Sequence, residues 1–141
     1  MLQGFFRPAF ALAGLVTMAL ASAGHARTIY ECTFEDRGPN RGWLPTVVYV
    51  AYDPDAEEVQ VSDPMIQDIN GGPLSVKPKT DNDVRLSLSW KLMLESTSQN
   101  EYEWTYEFTV YKADNKAKIT GIPRGYSDTL YAPGTCRVKK G

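Results

Sequence analysis

Histidine is the scarcest reactive residue type, since the chain contains a single copy, His25. This residue falls within residues 1–26, which we expect to be removed, so the mature chain would carry no imidazole for acid–base catalysis or zinc binding. The two cysteines, Cys32 and Cys136, are predicted to form a disulfide, which removes thiolate chemistry as well. We therefore expect a protein that is not an enzyme and that uses no cofactor.

Carboxylate pairs are the remaining route to catalysis, since glycoside hydrolysis uses two acids a few ångströms apart. Glu103 and Glu107 lie on the same face of a predicted strand. They alternate with threonines opposite Lys91, a pattern typical of a solvent-facing sheet surface. A carboxylate hydrolase that depends on Glu107 is accordingly the second alternative function.

Acidic residues also occur at the spacing found in part of a calcium loop, in Asp53-x-Asp55 and in Asp81-Asn82-Asp83. Neither segment is followed by the glycine and distal glutamate of an EF-hand. Because Asp and Asn are ordinary turn residues, we predict turns at both places and no metal site.

Arginine and aromatic side chains gather in two predicted loops, residues 36–43 and 121–128. The candidate contact residues are Arg37, Arg41, Trp43, Arg124 and Tyr126. Arginine, tryptophan and tyrosine are enriched at interface hot spots, and the glycines and prolines of both loops favour fixed bends. We predict that these residues contact a partner; the alternative is that Trp43 and Tyr126 cap a barrel while the arginines are solvated.

The clearest structural signal is a hairpin over residues 83–112, in which apolar and polar residues alternate with a period of two. One face of its first arm carries Val84, Leu86, Leu88, Trp90, Leu92 and Leu94, and one face of its second arm carries Tyr102, Trp104, Tyr106, Phe108 and Val110. We predict that Leu94 pairs with Tyr102 and Trp90 with Tyr106, because a slip of one residue would turn the aromatic set to water. Lys91 is expected between Glu103 and Glu107.

Short β-rich segments separated by turn residues occupy the rest of residues 27–141, and residues 63–69 are predicted to form a loop. The first strand contains Cys32 and the last contains Cys136, so the disulfide would join the two ends in one sheet. The pattern predicts an all-β domain, a small antiparallel meander of about eight strands. Either a closed barrel or a two-layer sandwich satisfies it.

Residues 1–26 have the pattern of a secretory signal peptide, with Arg7 near the start, a mostly apolar run over 9–23, and small-residue sites that end at Ala23 and Ala26. The mature protein is therefore expected to be periplasmic or secreted, where disulfides persist, and to have no membrane span. The net charge of −2 is mild and favours no nucleic-acid partner.

The layout of this chain, with Tyr30-x-Cys32 near the mature start, a β-meander and Cys136 in the last strand, resembles in outline the small periplasmic lysozyme inhibitors of the C-type barrel family. Those inhibitors present a Ser-Gly-x-x-Tyr loop to the enzyme. The nearest stretch here, residues 121–126, lacks the serine–glycine pair. The resemblance therefore covers architecture alone.

These observations predict a non-enzymatic binding or inhibitor-type module, which contacts a protein or envelope partner through residues 36–43 and 121–128. A carrier of a small lipophilic ligand is the alternative. In that alternative the ligand would lie in a barrel lined by Trp90, Trp104, Tyr106 and Phe108.

Overall fold

The computed structural model describes residues 27–36, 38–95 and 100–140. The predicted signal peptide, Arg37 and most of the link between the hairpin arms lie outside the described residues. Within them the chain forms β1 Thr28–Phe34, a 3-10 turn Gly38–Asn40, β2 Val47–Tyr52, β3 Val59–Ser62, helix α1 Pro64–Asn70, β4 Leu74–Val76, β5 Thr80–Asp81, β6 Arg85–Glu95, β7 Glu101–Tyr111, β8 Lys116–Pro123 and β9 Leu130–Lys140.

The described strands form one antiparallel sheet in the order β4-β3-β2-β1-β9-β8-β7-β6-β5, curled into a half-barrel. Every strand pairs with its neighbours in sequence except β4 and β5, which are the two sheet edges and are joined by residues 77–79. In addition, β1 pairs with β9. The prediction of an all-β meander is confirmed, and the chain adopts a curled sheet instead of a two-layer sandwich.

The predicted disulfide is confirmed at the junction of the first and last strands. Cys32 and Cys136 are directly opposed in the β1–β9 register, with their Cα atoms 3.9 Å apart. The bond spans 104 residues of sequence. It therefore fastens the two ends of the described chain to each other in the middle of the sheet.

The register of the central hairpin is also confirmed, with Leu94 opposite Tyr102 and Trp90 opposite Tyr106. The inward position predicted for Val84 is wrong, since its side chain is 63% exposed. The reason is a turn at Asn82, whose side-chain Oδ1 accepts hydrogen bonds from the N–H groups of Val84 and Arg85, both at 2.9 Å. The strand consequently begins at Arg85.

The loop predicted over residues 63–69 is wrong, because this segment forms helix α1. Asp63 caps the helix, accepting a hydrogen bond from the Ile66 N–H at 2.7 Å, and Pro64 occupies the first turn. Gly71 ends the helix with a φ of 74° and donates to the Gln67 carbonyl. Ile66 is fully buried, which anchors the helix to the core.

Gly134 allows β1 and β9 to approach closely beside Phe34. A Cβ atom at position 134 would overlap the Thr33 carbonyl oxygen and lie 2.6 Å from Phe34 Cδ1. We expect Gly134→Ala to lower the free energy of unfolding by about 1–3 kcal/mol, the usual range for overpacking, as measured by urea denaturation. Gly38→Ala is the control, since nothing lies within 4 Å of its Cβ position. Equal losses at the two positions would contradict this explanation.

A polar cluster of Tyr52, Asp81 and Lys112, here called the edge clasp, connects β2 to the edge strand β5. The Tyr52 hydroxyl donates to Asp81 Oδ2 at 2.7 Å, and Lys112 Nζ donates to Asp81 Oδ1 at 3.0 Å. The hydrogen bond to Asp81, with partial burial, raises the pKa of Tyr52 to about 12. Partial burial opposes ionisation of Asp81, but the bonds from Tyr52 and Lys112 outweigh it and lower the pKa of Asp81. The clasp thus holds the ionised Asp81 carboxylate of β5 against Tyr52 of β2.

Asp81→Asn should destabilise the fold by about 1 kcal/mol at pH 7, because two hydrogen bonds to a partly exposed charge are weakened. A lowered folded-state pKa means that the stabilisation is complete above the ordinary Asp value of 3.8 and is lost as the pH falls through the folded-state pKa. The difference between wild type and variant should therefore shrink in acid, as measured by urea denaturation across pH. Asp83→Asn, at an exposed position, is the control. A difference that persists unchanged at low pH would contradict the role of the charge.

Candidate functional site

Four aromatic rings form a column that runs from the mouth of the half-barrel, the end where β7 begins and β8 ends, into its core. Trp43 stacks on Trp104 with centroids 5.1 Å apart, Trp104 on Tyr106 at 6.1 Å, and Tyr106 on Trp90 at 6.0 Å. The planes of each pair lie within 23° of parallel. All three tryptophans of the chain belong to this column.

The column is fixed by a hydrogen bond from the Tyr106 hydroxyl to the Trp43 carbonyl oxygen at 2.7 Å. Burial, with a smaller contribution from the charge of Asp63, raises the pKa of Tyr106 above its ordinary value. The phenol therefore stays protonated at neutral pH and keeps donating. A core residue thus holds the backbone of the loop that carries Trp43.

Asn40 holds the same loop against the sheet. Its side chain is buried and donates to the Tyr131 carbonyl oxygen at 2.8 Å. Its own carbonyl oxygen accepts from the N–H groups of Trp43 and Leu44, both at 3.0 Å. Two hydrogen bonds therefore anchor the loop to the sheet and two more brace it internally, so the Trp43 ring has a defined position.

Tyr126 is presented by a tight turn that follows β8. The Tyr126 N–H donates to the Pro123 carbonyl oxygen at 3.3 Å, and Gly125 adopts a φ of 84°, a conformation that favours glycine. The Tyr126 side chain is 59% exposed, and its ring meets the Tyr102 ring edge-on at 6.3 Å. The loop predicted over 121–128 is shorter than expected, since residues 121–123 belong to β8.

Trp43 and Tyr126 line the same groove at the mouth of the half-barrel. This groove, of about 360 Å³, is lined by Trp43, Tyr102, Trp104, Pro123, Tyr126, Asp128 and Leu130, and we call it the mouth groove. Its walls are aromatic and aliphatic, and Asp128 is the one charged residue among those seven. The structure thus unites Trp43 of the predicted contact loop 36–43 with Pro123, Tyr126 and Asp128 of the predicted contact loop 121–128 in a single, mostly apolar site.

Two of the predicted arginines, Arg41 and Arg124, lie outside the mouth groove. Arg41 is largely exposed and lies 3.6 Å from the Asp36 carboxylate, and Arg124 is largely exposed and lies 3.9 Å from that of Glu103. Exposed ion pairs of this kind contribute little to stability, so both guanidinium groups are available at the surface. Arg37 lies outside the described residues.

Five lining residues of the mouth groove were not singled out as contact residues, although two of them, Pro123 and Asp128, lie within the predicted contact loop 121–128; the other three are Tyr102, Trp104 and Leu130. Alternation in the sequence does place Tyr102 and Trp104 on the inner face of β7. Alternation does not show how far toward the mouth the buried interior of the half-barrel extends, that is, the level at which the inner face of β7 becomes exposed surface. That level is set by Trp43, which lies 61 residues earlier in the chain and stacks on Trp104.

The carboxylates considered for catalysis lie on the outer face of the sheet and face basic residues. Glu103 Oε1 lies 3.9 Å from Lys91 Nζ, and Glu107 Oε1 lies 3.9 Å from Lys79 Nζ. The expected placement of Lys91 is thus confirmed for Glu103, whereas Lys79 is the partner of Glu107. No group of three or more His, Cys, Asp or Glu side chains arranged to hold a metal ion occurs within 27–36, 38–95 and 100–140.

None of the helices in the described part of the chain has the length and apolar character needed to cross a membrane. Comparisons with protein-family models, curated proteins and solved structures gave no match for this sequence. The resemblance to lysozyme inhibitors therefore stays a likeness of layout.

Proposed function

We propose that this chain is an exported, non-enzymatic binding module whose contact surface is the mouth groove. The observation that carries the proposal is the position of Trp43, which closes the aromatic column at the mouth and forms one wall of the groove. A protein or envelope partner would insert a group between Trp43 and Tyr126. The rim would contribute the exposed guanidinium groups of Arg41 and Arg124.

The mouth groove is held in shape by contacts that do not depend on a partner. Trp43 is fixed by the bonds from Tyr106 and Asn40, and Tyr126 by the turn at Gly125. A preformed site loses less conformational entropy on binding than a mobile one. Exposed tyrosine at such a site is also typical of binding hot spots.

Native mass spectrometry of the protein purified from its own source tests this proposal. Wild type should carry a bound partner that is lost in Tyr126→Ala. The partner should be retained in Tyr49→Ala, which removes a tyrosine of comparable exposure, 44%, from β2. A partner-free monomer in all three preparations, or equal loss in both variants, would refute the proposal.

The carrier of a small lipophilic ligand is the second candidate. Trp90, Trp104, Tyr106 and Phe108 are buried, and three of these rings stack on one another, so they fill the space that a ligand would occupy. The observation in its favour is Trp90 Nε1, a buried donor that has no hydrogen-bond acceptor in the described part of the chain. This candidate predicts a bound species of a few hundred daltons that survives Tyr126→Ala in the same spectra.

Export is part of the proposal and rests on residues 1–26 and on the disulfide, which favours an oxidising compartment. N-terminal sequencing of the protein from its source should begin at Gly24 or Arg27, after one of the two predicted cleavage sites. A protein that retains Met1 would contradict the cleavage.

A further inference from the structure

We propose that the ligand of the mouth groove is a small quaternary ammonium ion, free in solution, of the size of choline. This inference rests on the proposed function of the mouth groove as a binding site, because the ion would occupy the place between Trp43 and Tyr126 that the inserted group of a partner takes. It follows from the two properties that the lining residues share, aromatic surface and a single negative charge.

Aromatic rings supply the first property. Four of the seven lining side chains are aromatic: Trp43, Tyr102, Trp104 and Tyr126. The faces of such rings carry negative electrostatic potential and attract a cation that lies within about 6 Å of the ring centroid. Because Tyr126 meets Tyr102 at 68°, the two rings border the groove from different directions. Several rings around one apolar space suit a cation that has methyl groups on every side.

Charge supplies the second property. Asp128 is the sole lining residue of the groove that carries a charge at neutral pH, and it makes no salt bridge within the described part of the chain. An anion would meet this carboxylate without a compensating cation in the wall. A cation would be attracted both by the carboxylate and by the rings. The charge of the groove walls therefore favours a positive ligand. The guanidinium groups of Arg41 and Arg124 lie outside the walls, 3.6 Å and 3.9 Å respectively from a carboxylate that offsets the charge of each.

The chemistry of the walls favours a quaternary over a primary ammonium group. A primary ammonium carries three N–H donors, each of which needs an acceptor when it leaves water. A quaternary ammonium has none, and its methyl groups contact apolar surface from Pro123 and Leu130. The volume of about 360 Å³ lies near the lower end of the range for small-molecule sites, about 300–1,000 Å³, and has room for a ligand of this size.

Titration of choline chloride into the full mature, disulfide-bonded protein tests the proposal. Because all three tryptophans belong to the aromatic column, their fluorescence should respond, and calorimetry should show saturable binding. Sodium chloride at equal ionic strength is the control for salt. The compound 3,3-dimethylbutan-1-ol, the uncharged isostere of choline, should bind about ten-fold more weakly, since it lacks the cation–π attraction. Equal binding of the two compounds, or no saturable response to choline, would overturn the proposal.

Two variants locate the site. Tyr126→Ala and Asp128→Asn should each weaken choline binding by about three- to ten-fold, because each removes one attraction to the cation. Tyr49→Ala and Asp83→Asn are the matched controls at exposed positions away from the groove and should leave the affinity unchanged. Equal losses in variants and controls would overturn the assignment. Binding to phosphatidylcholine vesicles without binding of free choline would also overturn it, in favour of a lipid surface.

The proposed binding function and the proposed ligand class can be refuted independently of each other. If native mass spectrometry shows a partner that Tyr126→Ala loses while choline does not bind, the ligand class is wrong and the binding function stands. If choline binds and its affinity depends on Tyr126 and Asp128, the groove is a ligand site whatever protein partner is found.

Discussion

Replacing both cysteines with alanine should lower the free energy of unfolding by about 2–5 kcal/mol. The Cys32–Cys136 bond closes a loop of 104 residues, and its removal frees the unfolded chain from that constraint. In the chain-entropy account a loop of this length contributes up to about 4.7 kcal/mol. Urea denaturation of the oxidised wild type and of Cys32→Ala/Cys136→Ala measures the difference.

Reduction of the wild type separates the bond from the packing of its atoms. Cys32 is fully buried, so alanine removes a sulfur from the core as well as a cross-link. Reduced wild type keeps both sulfurs and should lose most of the same stability. If the reduced protein were as stable as the oxidised one, the hydrogen bonds between β1 and β9 would be sufficient without the disulfide, and the prediction would be wrong.

The second large effect is expected for Trp104→Ala, which should cost about 3–5 kcal/mol, the usual range for removing a buried aromatic side chain. Trp104 is buried in the middle of the column, between Trp43 and Tyr106, and it also lies 3.3 Å from the Cβ position of Gly121. Its loss would leave a cavity and separate the surface ring from the core. Urea denaturation measures the cost, and near-ultraviolet circular dichroism should show loss of the coupled tryptophan signal.

Trp43→Ala is the matched comparison, because it removes the same ring from the outer end of the column. Trp43 is only partly buried and stacks on one neighbour, so its loss should cost clearly less than that of Trp104. Equal costs would mean that Trp43 is a core residue and not a wall of a binding site.

The central hairpin could be predicted because its signal is local. Each arm alternates over eleven residues, and a one-residue slip would expose a row of rings that includes Trp104 and Tyr106. The pairing of Cys32 with Cys136 was equally accessible, since the chain has two cysteines in all. The period of the apolar alternation and the number of cysteines were therefore enough to predict the sheet and its disulfide.

The wrong predictions concern short segments in which one side chain determines the backbone conformation. Helix α1 has seven residues, too few to show an apolar period. Its sequence signals are the capping residue Asp63 at the start and Gly71 at the end. Val84 continues the apolar alternation of β6, but the Asn82 side chain bends the chain before it. In both cases a hydrogen bond from a backbone N–H to an Asx side-chain oxygen outweighed the hydrophobic pattern.

Only part of the mouth groove could be predicted from the sequence. Residue type identified Trp43 and Tyr126, but not that they would share a groove with Tyr102. That juxtaposition depends on contacts between distant parts of the chain, such as Asn40 with the Tyr131 carbonyl and Tyr106 with the Trp43 carbonyl. Such contacts carry no local pattern, so only the folded chain brings the groove together.

Site-specific photo-cross-linking in the source cells shows whether the mouth groove is the contact surface. The photoreactive amino acid p-benzoylphenylalanine would replace Tyr126 in one preparation and Tyr49 in another. The account predicts a discrete cross-linked product from position 126 and none from position 49, with the product suppressed when Trp43→Ala is added. No product at position 126, or the same products from both positions, would contradict it.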